Sequence, residues 1–376
     1  MSGHPSFLIA PDKFKGSLTS SQVAEHISLS ILKAIPSAVV DLCPIADGGD
    51  GLLAIAQDLG YQLIEIEVSD AFLKKKKTEI GMKDGRAFIE LAHICGIGEL
   101  REDERDPYIS STYGLGEAAL QAVKMGARKI TISLGGSASI DGGFGFACGL
   151  GLLAYDKFGE RVAPNLQGLR DLSSINLDQV NQISKKIEWE VLVDVENVLL
   201  GALGAVKVFG KQKGLEETDF DSVGTYLLNW VALLEEKTGR NYAKGIGSGA
   251  AGGVAAAVVP LFNSKVSKGS DWFIEKLNVL ERIKRSDFVI TAEGAFDSQS
   301  FMGKVTGEII SAATSLSKHV FVIAGQSEPN MKIREGIDVI VMSELFGSIQ
   351  ASISYPVRWL EEATYKVCEE AKGAAV

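Results

Sequence analysis

Asp47, Asp50, Asp141, Asp194, Glu293 and Asp297 all fall at or just past the ends of predicted strands, and Lys13, Lys15 and Lys304 lie on loops of the same kind. Carboxylates that hold Mg²⁺, lysines that clamp anionic oxygens and backbone N–H groups that cradle phosphates are the parts of phosphoryl transfer. Five loops lie at or could face such strand ends, and four of them carry all of these residues except Asp194: PDKFKGS (11–17), ADGGDG (46–51), GGSASIDGG (135–143), GSGAAGG (247–253), which carries none, and TAEGAFDSQS (291–300) with Gly303 and Lys304. Any single Asp-Gly pair is an ordinary turn. Their accumulation past strand ends is the signal, because open α/β sheets bind ligands beyond the carboxyl ends of their strands.

The loop LGGSASIDGGFG stands between an apolar run, 129–134, and a second one, 146–154. A strand, a glycine turn and a helix start present free N–H groups and a positive partial charge, which suits phosphate or carboxylate. Ser137 and Ser139 add hydroxyls. GSGAAGG contains G-x-G-x-x-G, but a predicted helix and polar loop precede it where a dinucleotide fingerprint needs a strand. Close packing or a loop near a small ligand fits it better. The sequence has no GxxxxGK[ST], no protein-kinase signature, no HExxH and no G-x-S-x-G elbow. Its four histidines lie away from these loops, so a Ser-His-Asp hydrolase or a histidine zinc centre is not indicated.

Elements must position these loops. Residues 6–10 read as a buried strand, and Ser17–Ser20 offer N-caps for a helix with Val23, Ile27, Ile31 and Ile35 on one face. A strand at 39–45, a helix at 52–59 ended by Gly60, and a strand at 61–68 complete a βαβαβ series, predicting a parallel sheet. Lys83-Asp-Gly-Arg86 between two strand-like runs predicts a hairpin, and Lys74–Lys77 a solvated turn or edge guard. A hairpin does not continue a parallel series, so a boundary is placed near residue 72. Strands at 287–291, 319–324 and 337–342, and helices at 305–316 and 356–371, return to the first pattern. The expected organisation is a discontinuous outer domain, 1–71 plus 285–376, with 72–284 inserted.

Length supports two domains, since single cores stop growing near ~250–300 residues. A formal charge of −10 argues against nucleic acid or an anionic membrane as partner. The four cysteines are scattered without metal spacing, which predicts buried free thiols in a reducing compartment. With no apolar run of membrane-span length and no leader-like start, the chain reads as cytoplasmic.

APDKFKGSLTS (10–20), PIADGGDG (44–51), TYGLGE (112–117), LGGSASIDGG, VFGKQKG (208–214), GSGAAGGV and the DSQS…GK segment together resemble the bacterial type-1 glycerate kinase family, in its order and spacing over nearly the whole chain. The resemblance implies an ATP- and Mg²⁺-dependent kinase of D-glycerate. It also implies two α/β domains with a cleft between them: a Rossmann-like parallel-sheet outer domain and an inserted second one. There are departures. Ile140 stands where the family has asparagine, Ala292 and Ala295 replace a glycine and an arginine, Lys211 replaces proline, and Asp50 replaces glutamate.

On this reading Asp194 is the candidate base, with Asp47 as the alternative, and Lys15 neutralises the transferred phosphoryl or the glycerate carboxylate. Asp12, Gly135, Gly136, Ser137, Ser139, Asp141, Gly142, Gly249, Gly252, Gln299 and Lys304 are the substrate- and phosphate-binding candidates. Glu293 and Asp297 are the Mg²⁺ candidates. The 2-hydroxyl is the favoured acceptor over the 3-hydroxyl, and a monomer or dimer is expected. Three rivals stay open: a kinase of another small hydroxy acid, a non-catalytic glycerate-sensing regulator, and a dinucleotide-dependent oxidoreductase.

Overall fold

In a computed structural model, residues 4–46, 51–301, 305–329, 333 and 335–374 are described. Short apolar runs bounded by the glycine loops become thirteen named strands. They are β1 (Ser6–Ile9), β2 (Val39–Leu42), β3 (Gln62–Ser69), β4 (Lys75–Lys83), β5 (Arg86–Glu90), β6 (Lys129–Leu134), β7 (Leu153–Tyr155), β8 (Ser174–Asn176), β9 (Glu188–Val193), β10 (Lys265–Lys268), β11 (Phe288–Phe296), β12 (His319–Ser327) and β13 (Ile337–Val341). The chain divides into two compact units, Met1–Asp47 with Ser270–Val376, and Gly48–Gly269.

The first unit is a five-stranded sheet in the order β13-β12-β11-β1-β2, and every pair is parallel. Successive side chains of a strand face opposite ways, and the two faces are filled accordingly. Phe7 and Ile9 pack with Val23, Ile27 and Ile31 of the helix Ser20–Ala34 and with Leu360 and Val367 of the helix Pro356–Ala374. Leu8 and Ala10 pack the other way, with Ile283, Ile309 and Ala313. The helix Ser20–Ala34 starts where the sequence predicts. Thr19 caps it, its hydroxyl accepting from Gln22 N–H at 3.2 Å while Gln22 Oε1 accepts from Thr19 N–H at 3.0 Å. Thr19→Ala is expected to lower unfolding free energy by about 1 kcal/mol in urea titrations; no loss would show the box to be idle.

The second unit holds the sheet β10-β9-β6-β5-β4-β3, parallel from β10 to β5 and antiparallel from β5 to β3, beside the small β7–β8 pair. The predicted hairpin is present: Asp84 and Gly85, both with positive φ, turn β4 into β5.

The strand predicted at 61–68 needs correction. It is β3, paired antiparallel with β4 from Gln62–Met82 to Ser69–Lys75 at the edge of the second sheet, so it does not extend the parallel series. The turn that allows this is held by Asp70, whose carboxylate accepts from Phe72 and Lys74 N–H. The units therefore meet at 47/48 and 269/270 where the sequence reading drew 71/72 and 284/285. The lysine run is also not an edge guard: β4 has a partner on both sides, and Lys76 and Lys77 reach Glu99 and Glu65 at 2.6 and 2.8 Å. All four cysteines are buried and outside any disulfide. Among the described residues no helix is long and apolar enough to cross a membrane.

Candidate functional site

The first unit's sheet changes direction of winding at β1, which has β2 on one side and β11 on the other. The carboxyl ends of strands at such a switch point form a crevice, and a pocket of about 340 Å³ lies there. The loop after β1 contributes Asp12, Lys13, Phe14, Lys15 and Ser17; the end of β11 contributes Glu293, Gly294 and Ala295. Gly325 and Gln326 come from β12 and Met342 from just beyond β13. Asp12 N–H donates to Ala292 O at 2.8 Å, which ties the first loop to β11, and Lys13 N–H donates to Asp12 Oδ1 at 2.7 Å. Glu293 is 5% exposed, whereas Lys15 is exposed at the pocket. Gly325 brings two backbones together: a Cβ there would stand 2.6 Å from Gly294 O.

Asp297 is not among the lining residues. Its Oδ1 accepts from Ser300 N–H at 3.1 Å and so holds the turn Ser298–Phe301. Gln299 sits in that turn, but its side chain lies outside the described residues, as do Asp47 and Lys304 entirely.

The second unit places the glycine–serine loop after β6. Register pairs Leu134 with Val193, so Asp194, exposed at the end of β9, follows beside Gly135. The loop interior differs from the sequence reading. Asp141 is completely buried, and its oxygens accept from Thr112 N–H and hydroxyl at 2.8 Å, Gly143 N–H at 3.0 Å and Gly145 N–H at 3.1 Å. Burial pushes its pKa up while those bonds pull against it. A carboxylate so committed braces the loop. Ser137 and Ser139 are likewise turned inward, 2% and 0% exposed. Lys213, 3% exposed, donates to Ser137 Oγ at 2.7 Å and to Ser139 O at 2.8 Å. Burial depresses the Lys213 pKa to about 8. Gly136 remains exposed with φ +62°.

Gly249 and Gly252 explain themselves by packing. A Cβ on Gly252 would lie 2.1 Å from Ser139 O, and one on Gly249 2.4 Å from Val198 O; Gly142 N–H donates to Gly252 O at 2.9 Å. Gly252→Ala is therefore expected to cost about 1–3 kcal/mol and displace the serine loop. Denaturation unchanged from the parent would remove the close-packing account.

Sequence reasoning missed two residues. Lys213 is one of several lysines in VFGKQKG, and nothing in that spacing marks it as buried. Glu90, 1% exposed, accepts from Gly51 and Leu53 N–H at 2.6 and 2.8 Å and so caps the helix Leu52–Asp58 that follows ADGGDG. Its signal was available: a lone acid closing the apolar run Ala87-Phe-Ile.

Comparisons with known proteins place the chain among relatives. The family model described as the glycerate kinase family matches residues 7–372. A glycerate kinase of Halalkalibacterium halodurans is 33% identical over 321 residues, covering 85% of this chain and 84% of its own. A glycerate 2-kinase of Escherichia coli K12 is 33% identical over 339 residues, 89% of each. A crystal structure assigned as glycerate kinase 2 from Salmonella typhimurium LT2 superposes with a TM-score of 0.84 at 28% identity, over 99% of this chain and 100% of that one. With a family model spanning nearly every residue and relatives matched along most of their length, the chain belongs to the glycerate kinase family.

Proposed function

We propose that this chain transfers the γ-phosphoryl group of ATP to D-glycerate, with Mg²⁺, at the 2-hydroxyl. The observation that carries the reading is the switch-point pocket, whose lining brings Lys15 together with Asp12, Glu293 and the glycines at 294 and 325. The E. coli relative, described as a glycerate 2-kinase, favours the 2-position. A loose phosphoryl-transfer transition state asks the protein mainly to position and neutralise, which an ammonium on a glycine-rich loop can do.

Among the described residues no group of three or more His, Cys, Asp or Glu side chains gathers as a metal cage. Mg²⁺ characteristically takes one or two carboxylates and completes its shell with water and substrate phosphates. Glu293 and Asp12 fit that donor set; Asp297, engaged in its own turn, fits it less well. The ion, when bound, supplies charge neutralisation on phosphate oxygens. Lys15 neutralises the transferred group. Asp194 is the residue read as orienting the acceptor hydroxyl and accepting its proton. The exposed backbone at Gly136 suits an anionic oxygen, while Lys213 and Asp141 fix the loop's shape. A cytoplasmic location follows from the same reading.

The test is a coupled ADP assay over a panel of small hydroxy acids, with the product assigned by NMR. Glycerate-dependent ADP release with 2-phosphoglycerate as product is expected. Phosphorylation at the 3-position would overturn the regiochemistry, and preference for another acid would overturn the acceptor. Binding of glycerate without ADP release would favour the regulator.

A further inference from the structure

One wall of the switch-point pocket is out of keeping with its polar chemistry. Ile349 and Ile353 stand one turn apart on the helix Ile349–Ser354, half-exposed at 50% and 54%, and both line the pocket with Met342. Positions four apart share a helix face. The same pocket is also lined by Asp12, Lys13 and Lys15 and by the glycines at 294 and 325.

A three-carbon hydroxy acid has almost no apolar surface to place against two isoleucines and a methionine. The volume of about 340 Å³ also exceeds what so small an acid fills and falls within the range of ligand pockets generally, ~300–1,000 Å³. A nucleotide has both halves of the required chemistry. Its base is flat and largely apolar on its faces; its phosphates are anionic. Substitution at Gly325 is hindered by Gly294 O, which keeps that part of the lining free of a side chain and open to a flat ring. Gln326, exposed at the rim, carries an amide of the kind that pairs with a base edge.

We infer that Met342, Ile349 and Ile353 form the subsite for the nucleotide's base, with the phosphates running toward Lys13 and Lys15. This rests on the kinase reading above and adds where the donor's base sits. It makes the short helix Ile349–Ser354 the determinant of nucleotide affinity within the first unit, independent of the acceptor.

Binding of a fluorescent ADP analogue to the full-length chain tests it, comparing the parent with Ile349→Ser/Ile353→Ser. Both positions are half-exposed, so thermal unfolding should stay near the parent's; Ile353→Ala alone serves as the milder variant. The analogue's dissociation constant is expected to rise about 10-fold or more in the double variant. The KM for ATP should follow it and the KM for glycerate change less than twofold. The inhibition constant of inorganic tripolyphosphate, which has no base, should equal the parent's once its displacement curve is corrected for the analogue's weaker binding. Unchanged ADP affinity in both folded variants would overturn the inference while leaving the kinase reading intact. Equal weakening of tripolyphosphate would overturn it too, placing the isoleucines under the phosphates. A parent chain that binds no ADP would overturn both readings, and one that binds ADP yet never releases it from ATP with glycerate would sink only the kinase.

Discussion

Lys15→Ala is expected to lower kcat about 10²–10³-fold while raising the KM for ATP much less, as removal of one preorganised charge at a transition state does elsewhere. The side chain is exposed and lines the pocket, so its loss leaves the packed layers of the first unit alone. Uniform binding would show as a KM effect. A group that acts on charge developing in transfer shows in turnover. Lys15→Arg retains the charge but spreads it over a planar fork, and partial recovery is expected. Stopped-flow or coupled ADP measurement at saturating ATP decides it: a kcat within threefold of the parent would remove Lys15 from the chemistry.

Lys213→Met gives the second large effect, through opposite trends in stability and activity. The ammonium is enclosed, and its pKa falls from the ordinary lysine value to about 8. Between about pH 8 and 10.5 the unfolded chain holds this proton while the folded chain has shed it. Stability from this group therefore rises with pH across that window. Activity should move the other way, because the neutral amine donates less strongly to Ser139 O and the loop after β6 loosens. Lys213→Met is expected to unfold at a similar denaturant concentration at pH 7, since it removes a costly buried charge along with its two hydrogen bonds. Its turnover should nevertheless fall at least about 100-fold, and the alkaline limb of the kcat profile should vanish from the residual rate. An alkaline limb unchanged in Lys213→Met would assign that limb to another group.

Much of this was legible from residue order. Short apolar runs placed β1, β6 and β12, four-spaced apolar residues placed the helix Ser20–Ala34, and a proline suited to a first turn placed the helix Pro356–Ala374, all close to where they lie. Glycine loops past strand ends pointed to Asp12, Lys15 and Glu293, which share one pocket. Periodicity failed at β3, because a strand's own pattern does not say which neighbour it takes; the tight turn at Asp70 decided that. It failed again inside the serine loop. Hydroxyls there suggested donors to a ligand, but irregular backbone has no period, and Ser137, Ser139 and Asp141 turned inward to Lys213 and Thr112. Lys213 comes from over seventy residues downstream, beyond the reach of any local pattern.

The interior position of β1, between strands from opposite ends of the chain, has a consequence for biogenesis. Its registers join Phe7 to Val40 on one side and to Phe288 on the other. During synthesis the amino-terminal strands emerge first, yet β11 leaves the ribosome only after the whole of Gly48–Gly269 has been made. The contiguous unit can fold as soon as it emerges, while β1 and β2 wait as an incomplete, edge-exposed pair that a chaperone would shelter. Arrested nascent chains long enough for Gly269 to clear the exit tunnel, but with β11 still inside it, should thus show a protease-resistant core from the second unit and a cleavable amino-terminal arm.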